Sequence, residues 1–226
     1  MNTEETLKQF IYILVKSNDI NFLTIKGQPG LGKSFNTARI LKEMGLEENV
    51  HFKVISGYIT PKKLFETLGK TRILEPPRLI IIDDLDALLN SKISVSILKS
   101  ALVNFNNQRI VRYESTRNNE EQSFEFNGKI IMIVNQIPSS SGIEPLLDRG
   151  IVFYYKFNPI ELMSYIEEFV LPTYGLEKQA TYKVWNKVKR FVDSPSFSIR
   201  DLNRAINFYK HDQNKWFELF IKSIKK

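Results

Sequence analysis

Residues 27–34 read Gly-Gln-Pro-Gly-Leu-Gly-Lys-Ser, "GQPGLGKS", between the apolar run "NFLTIK" and the segment "FNTARILKEMG". The chain has 10 glycines in 226 residues, and three of them fall in this one short stretch. The spacing, G-x-x-x-x-G-K-[ST], is that of a loop that wraps phosphate. Glycines let successive backbone N–H groups turn inward toward anionic oxygens. A helix beginning near Gly32 would add the partial positive charge of its N-terminus. Lys33 is then placed to reach the β- and γ-phosphates of a nucleotide, and the Ser34 hydroxyl to ligate Mg²⁺. A plain glycine-rich turn between a strand and a helix is the alternative, and it leaves the full spacing unexplained. The expected nucleotide-binding set is Pro29, Gly30, Leu31, Gly32, Lys33, Ser34 and Phe35.

The rest of the composition sets bounds. At 226 residues the chain is long enough for one sizeable core, or for one domain with a small subdomain. Apolar residues make up 42% and charged residues 25%, an ordinary water-compatible balance. No apolar run is long enough to span a bilayer. The start, "MNTEETLKQF", is acidic and polar, which reads against a signal peptide. Cysteine is absent, so neither a disulfide framework nor a thiolate metal site is expected. His51 and His211 stand apart and read as surface or packing residues. The expectation is a cytoplasmic protein. Its net charge of +7 permits an acidic partner such as nucleic acid, although a lysine-rich solvated surface would give the same number. The excess is concentrated late in the chain, where residues 159–226 hold 12 Lys/Arg against 8 Asp/Glu.

Periodicity orders the chain. A helical apolar pattern covers residues 5–17. "NFLTIKG" is a short buried-strand candidate running into the loop, and "KSFNTARILKEMG" is the helix after it, with Gly45 at its C-terminal end. "VHFKVISG" is a second strand. "TPKKLFETLGK" is a helix with Thr60 as N-cap and Pro61 at its first position. Pro76-Pro77 stops the chain before "RLIIIDDLD", the strongest strand. "SKISVSILKSALVNF" reads as a helix whose apolar face carries Ile93, Ile97, Ala101 and Phe105. Residues 109–126 alternate on either side of a polar break and predict a hairpin, which feeds a fourth core strand, "KIIMIVN". "GIVFYYKF" is a fifth. Continuous apolar strands separated by helices imply a mostly parallel sheet covered on both faces. At "FNPIE" the pattern changes: Asn158 is an N-cap, Pro159 the first helical residue, and Glu161 completes a capping box. The expected division is an α/β body over 1–158 and a helical lid over 159–226.

Other candidate residues join the loop. "LIIIDD" delivers two carboxylates to the end of a central strand, the edge where α/β sheets bind ligands. Asp83 is placed to hold Mg²⁺ through its water shell, and Asp84 to orient and polarise an attacking water. Asn135 ends the next core strand at the same edge, where a neutral amide could bond both a terminal phosphate and that water. Arg149 precedes the fifth strand, and Arg200 opens a helix of the tail.

In this order the pieces resemble the AAA+ ATPase family over nearly the whole chain. "GQPGLGKS" is similar to Walker A, "LIIIDDLD" to Walker B and "IVN" at 133–135 to sensor 1. "LLDRG" resembles the arginine-finger box, and "SIRDL" resembles sensor 2 in a helical lid. The resemblance implies a P-loop three-layer sandwich with a five-stranded sheet in the order 5-1-4-3-2 and a small helical lid. It also implies ATP and Mg²⁺ as cofactors, and a homo-oligomeric ring or spiral, a hexamer, with ATP at each interface. On that reading Arg149 serves the neighbour's site and Arg200 closes the lid over the γ-phosphate. Most members carry Asp-Glu where this chain has Asp83-Asp84; Asp-Asp also occurs in helicase-loader and replication-initiator members, so the shorter Asp84 implies slow hydrolysis rather than a dead site. The segment after the second strand is too short for an initiator-type extra helix, and short for an aromatic pore loop, although Tyr58, Lys62 and Lys63 lie in it. The texture is that of small phage and plasmid members.

The expectation is an oligomeric Mg-ATPase acting on DNA or a DNA-bound complex, as a replication or recombination accessory. The basic balance, the Asp-Asp pair and the hairpin with Arg109, Arg112 and Arg117 favour it, while Glu114, Glu120 and Glu121 dilute the hairpin's charge. In this family the loop before the fourth strand often faces the central pore. One alternative is a protein remodeller using Tyr58 or Tyr113 as its aromatic grip. The other is a scaffold that assembles on ATP and hardly hydrolyses it.

Overall fold

A computed structural model of the protein describes residues 2–84, 86–115, 120–137 and 142–224. Helix α1 (Thr3–Lys16) is followed by strand β1 (Phe22–Lys26), the 27–32 loop and α2 (Lys33–Glu43). Then come β2 (Phe52–Ser56), α3 (Pro61–Gly69), a 3₁₀ turn (Lys70–Ile73) and β3 (Leu79–Asp83). Two helices, α4 (Asp86–Leu89) and α5 (Lys92–Leu102), lead into β4 (Ile110–Ser115) and β5 (Glu120–Glu125). Strand β6 (Lys129–Val134), the short α6 (Glu144–Leu147) and β7 (Ile151–Tyr154) complete the α/β part. Beyond it lie α7 (Pro159–Tyr165), α8 (Lys178–Val188), α9 (Ile199–His211) and α10 (Trp216–Ile224).

Five strands form one parallel sheet in the order β2-β3-β6-β1-β7. Numbered among themselves along the chain and read from the β7 edge, these strands run 5-1-4-3-2. The inner strands β1, β3 and β6 are buried along almost their whole length, as their unbroken apolar runs require when both faces are covered. The core on one face joins Ile80, Ile82, Ile130 and Met132 of the sheet to helix side chains such as Leu68 and Leu98. No described helix is long and apolar enough to cross a membrane.

Local signals act where they were read. Thr60 Oγ1 accepts a 3.2 Å hydrogen bond from the Lys63 N–H at the start of α3, with Pro61 at the first helical position. At α7, Asn158 Oδ1 accepts from the Glu161 N–H at 2.9 Å while the Glu161 carboxylate takes the Asn158 N–H at 3.2 Å, a complete capping box. Helix α7 passes into a π turn (Ile166–Val170) and a 3₁₀ turn (Leu171–Tyr174), which closes on Gly175 in the left-handed region.

The apolar face read for α5 is corrected. Ile97 and Ala101 are buried, but Ile93 is 59% and Phe105 75% exposed. The buried face takes in Val95, Leu98 and Leu102 beside Ile97 and Ala101. Four-residue steps drift off one helix face, because 3.6 residues make a turn. Phe105 lies beyond the helix, in a tight turn paired with Gln108.

The hairpin forms a separate two-stranded antiparallel ribbon. It is packed on α3, where the rings of Tyr113 and Phe124 lie 5.4 and 4.9 Å from that of Phe65. Of the hairpin arginines, Arg109 is half-buried. Its guanidinium lies 5.2 Å from the Phe126 ring and donates to the Ala101 carbonyl, and burial pushes its pKa below the ordinary arginine range. Arg112 is exposed on β4, and Arg117 lies outside the described residues.

The chain forms two compact units. One contains Glu5–Gln28 and Lys33–Tyr155. The other is built on Pro29–Gly32 and the helices that follow Lys156, together with the first residues of the chain. The turn of the glycine loop is thus grouped with the C-terminal helices, and the divide after the sheet falls between Tyr155 and Lys156.

Candidate functional site

Parallel pairing brings three strand ends to one edge. In register, Lys26 of β1 lies opposite Val134 of β6, and Asp83 of β3 lies opposite Ile133. The residues that follow each strand, Gly27, Asn135 and Asp84, therefore emerge side by side. Backbone bonds hold this arrangement, from the Gly27 N–H to the Val134 carbonyl at 3.2 Å and from the Asp84 N–H to the Ile133 carbonyl at 3.3 Å. Asp84 has φ 55°, in the left-handed region. Aspartate tolerates that region better than most side chains. The chain turns there as it leaves β3.

Lys33 opens α2 and is 6% exposed. A buried ammonium must have its donors satisfied, and here three oxygens face it. Its Nζ donates to the Gly27 carbonyl at 2.7 Å, to the Gln28 carbonyl at 2.9 Å and to Asn135 Oδ1 at 2.8 Å. The Asn135 amide also donates through Nδ2 to Asp84 Oδ1 at 2.9 Å. Asn135 thus links the helix-initiating lysine to the second carboxylate. Beside this chain of contacts, Ser34 Oγ donates to Asp83 Oδ1 at 2.9 Å. Lys33, Asn135 and Asp84, separated by up to 102 positions in sequence, form one hydrogen-bonded chain with the Ser34–Asp83 pair beside it, all within one unit.

Ser34 and Asp83 supply hard oxygen donors of the kind Mg²⁺ takes. Among the described residues no group of three or more His, Cys, Asp or Glu could hold a metal ion. A cation at Ser34 and Asp83 would therefore complete its shell with water and phosphate, the usual habit of Mg²⁺. Phe35 is 42% exposed on the first turn of α2.

The turn of the loop lies in the other unit. Gly30 and Gly32 have φ of 77° and 85°, which a side chain would strain. The Gly30 carbonyl accepts the Ile199 N–H at 2.8 Å, so the loop is tied to the first residue of α9. A Cβ on Gly30 would lie 3.6 Å from Arg200 Cδ, which puts Arg200 beside the loop backbone. Helix α9 is set there by Ser198, whose N–H donates to the Asp201 carboxylate at 2.9 Å. Leu31 is buried and Pro29 exposed.

Arg149 stands apart from the polar cluster. It is exposed in the turn before β7, and its Nη1 donates to the Pro145 carbonyl at 2.5 Å. The side chain of Asp86, a further carboxylate after β3, is outside what is described. Neither histidine is in the cluster; His51 accepts the Glu47 N–H on Nδ1 at 3.1 Å and faces Glu75.

Tyr165, which belongs to no motif, also lies at the loop. Its hydroxyl would lie 3.0 Å from a Cβ on Gly32, and its ring stacks on Phe157 at 5.0 Å and meets Phe169 at 5.6 Å. The only trace of this in the sequence is an aromatic pair four residues apart on one helix face. Compared with known proteins, the chain matches no family model and no curated protein.

Proposed function

We propose that the chain is an oligomeric Mg-ATP-hydrolysing ATPase of the AAA+ kind that acts on DNA or a DNA-bound complex. The observation that carries the reading is the connected cluster Lys33–Asn135–Asp84 with Ser34–Asp83 beside it at the ends of β1, β3 and β6. An ATP polyphosphate fits the residues present. Two loop glycines hold left-handed backbone, a helix begins at the lysine, and that lysine is a buried cation that donates to the Gly27 and Gln28 carbonyls and to Asn135 Oδ1. A phosphate oxygen is a better partner for an ammonium than a carbonyl, because both members of the pair are then charged.

Bound Mg²⁺ would draw charge from the phosphates, and Ser34 and Asp83 are the residues that would hold it. Lys33 neutralises the β- and γ-phosphates in this reading. Asp84 takes up a proton from the attacking water, and the Asn135 amide orients it. Arg200, beside Gly30, supplies positive charge near the loop. Arg149, exposed and donating from its guanidinium to the Pro145 carbonyl, serves the site of an adjacent subunit in this reading.

Two observations keep other readings in view. Tyr58 is 81% exposed, as an aromatic residue gripping a polypeptide would be. Asp84 is occupied by Asn135, as in a protein that assembles on ATP and turns over slowly. ATPase rates with no DNA, with single-stranded DNA and with duplex DNA separate the three. Stimulation by DNA is the expected result. Turnover indifferent to DNA supports the remodeller, and ATP-dependent assembly without turnover supports the scaffold.

A further inference from the structure

Helix α8 presents Lys183, Lys187 and Arg190, with Arg190 in the 3₁₀ turn that extends it, at the i, i+4, i+7 spacing of one helix face. All three are exposed. Each cation lies over an aromatic ring. Lys183 Nζ is 5.7 Å from the Tyr209 ring centroid, and Lys187 Nζ is 5.7 Å from that of Trp216 and 5.0 Å from that of Phe217. The Arg190 guanidinium is 4.7 Å from Phe217 and 5.2 Å from Phe191. Phe217 thus sits between two cations. Among the described residues no carboxylate is within ion-pair distance of any of the three. Three positive charges are therefore held in a row by aromatic faces, without being neutralised.

We infer that this row is a binding surface for the phosphodiester backbone of DNA. The inference rests on the DNA-directed part of the proposed function. From i to i+7 a helix rises about 10.5 Å. One DNA strand carries a phosphate every ~3.4 Å along the duplex axis, so the row spans about three phosphate steps. Rings that confine the lysine and arginine stems reduce the freedom lost when a phosphate is met. An anionic membrane fits less well. Of the rings beneath the row, Tyr209 is 5% and Trp216 2% exposed and Phe191 and Phe217 are half-buried, whereas a helix that enters a bilayer surface offers its apolar face outward.

The test uses the full chain without nucleotide and measures binding to a labelled duplex and to a single-stranded oligonucleotide across a range of salt. The variant K183Q/K187Q/R190Q is compared with K16Q/K42Q/K92Q, which removes the same charge from exposed lysines of the other unit. The α8 variant should bind at least one of the DNAs roughly 10-fold or more weakly. Its slope of log K against log salt should be shallower by about 0.9 for each lost phosphate contact. The charge-matched control should bind close to wild type, and K183R/K187R/R190K should restore affinity. The inference is overturned if both neutralised variants weaken equally, or if the α8 variant binds DNA as well as wild type. It is also overturned if only phosphatidylserine vesicles show dependence on the row. ATP binding, measured separately, distinguishes the two failures: wild-type protein that binds and hydrolyses ATP but no DNA sinks this inference and leaves the ATPase reading standing.

Discussion

Asn135 Nδ2 donates to Asp84 Oδ1 at 2.9 Å, so the amide that follows β6 restrains the carboxylate that follows β3. A restrained carboxylate is oriented, and in the proposed reaction that orientation precedes contact with water. Asp84→Asn keeps a side chain suited to φ 55° and should leave the fold and ATP binding intact. Hydrolysis should fall roughly 10²-fold or more, the scale of losing a positioned base. Asp84→Glu reaches one methylene further and should hydrolyse faster. It should also melt lower, because glutamate is strained by about 1 kcal/mol in left-handed backbone. Single-turnover hydrolysis and thermal melts check both. An unchanged rate in Asp84→Asn removes Asp84 from the chemistry.

Lys33→Ala removes a buried cation and leaves the Gly27 and Gln28 carbonyls and Asn135 Oδ1 without its hydrogen bonds. Loss of ATP binding is expected in titrations with a fluorescent analogue. The unmet acceptors should also cost about 1–3 kcal/mol of stability, visible as a lower Tm in a variant that still folds. ATP affinity equal to wild type would falsify the assignment of the 27–34 loop.

Gly32→Ala and Gly45→Ala place the same strain at φ 85° and 76°, but in different surroundings. A Cβ at Gly32 would meet Tyr165 Oη at 3.0 Å and Ile199 Cδ1 at 3.3 Å, while one at Gly45 meets nothing within 4 Å. Both variants should lose about 1–2 kcal/mol from backbone strain. Only Gly32→Ala should also lose nucleotide affinity. Equal nucleotide binding by the two would show that the loop conformation is structural alone.

Arg149 tests the oligomeric part of the proposal. A guanidinium supplied in trans to phosphoryl transfer is worth about 10³–10⁵ in rate. Arg149→Ala should bind ATP normally, hydrolyse it poorly, and regain turnover when mixed with Asp84→Asn, because one interface in the mixture then has both groups. Wild-type activity per subunit should rise with protein concentration. A flat dilution series together with a dead mixture makes Arg149 an ordinary surface residue.

Much of the architecture is written in short-range features. The unbroken apolar runs of β1, β3 and β6 announce strands buried on both faces. Thr60 and the Asn158–Glu161 pair mark helix starts because capping is settled within three residues. The glycines at 30 and 32 mark backbone that side chains would strain.

Other features depend on which elements meet. Nothing near Arg109 in sequence says that its guanidinium will cover Phe126, and an alternating strand with arginines reads the same whether it faces water or packs on α3. Burial of Ile97 but not Ile93 follows from where α5 lies against its neighbours. The link from Lys33 through Asn135 to Asp84 exists because β6 lies between β1 and β3 with Val134 opposite Lys26 and Ile133 opposite Asp83. The amino-acid sequence by itself determined the core strands, the main helices, the Thr60 and Asn158 caps and the residue types of the polar cluster, since these rest on local backbone preference and periodicity. Only the tertiary structure decided which groups touch, because strand order and parallel register are set by long-range packing of apolar faces, to which residues 102 positions apart contribute jointly.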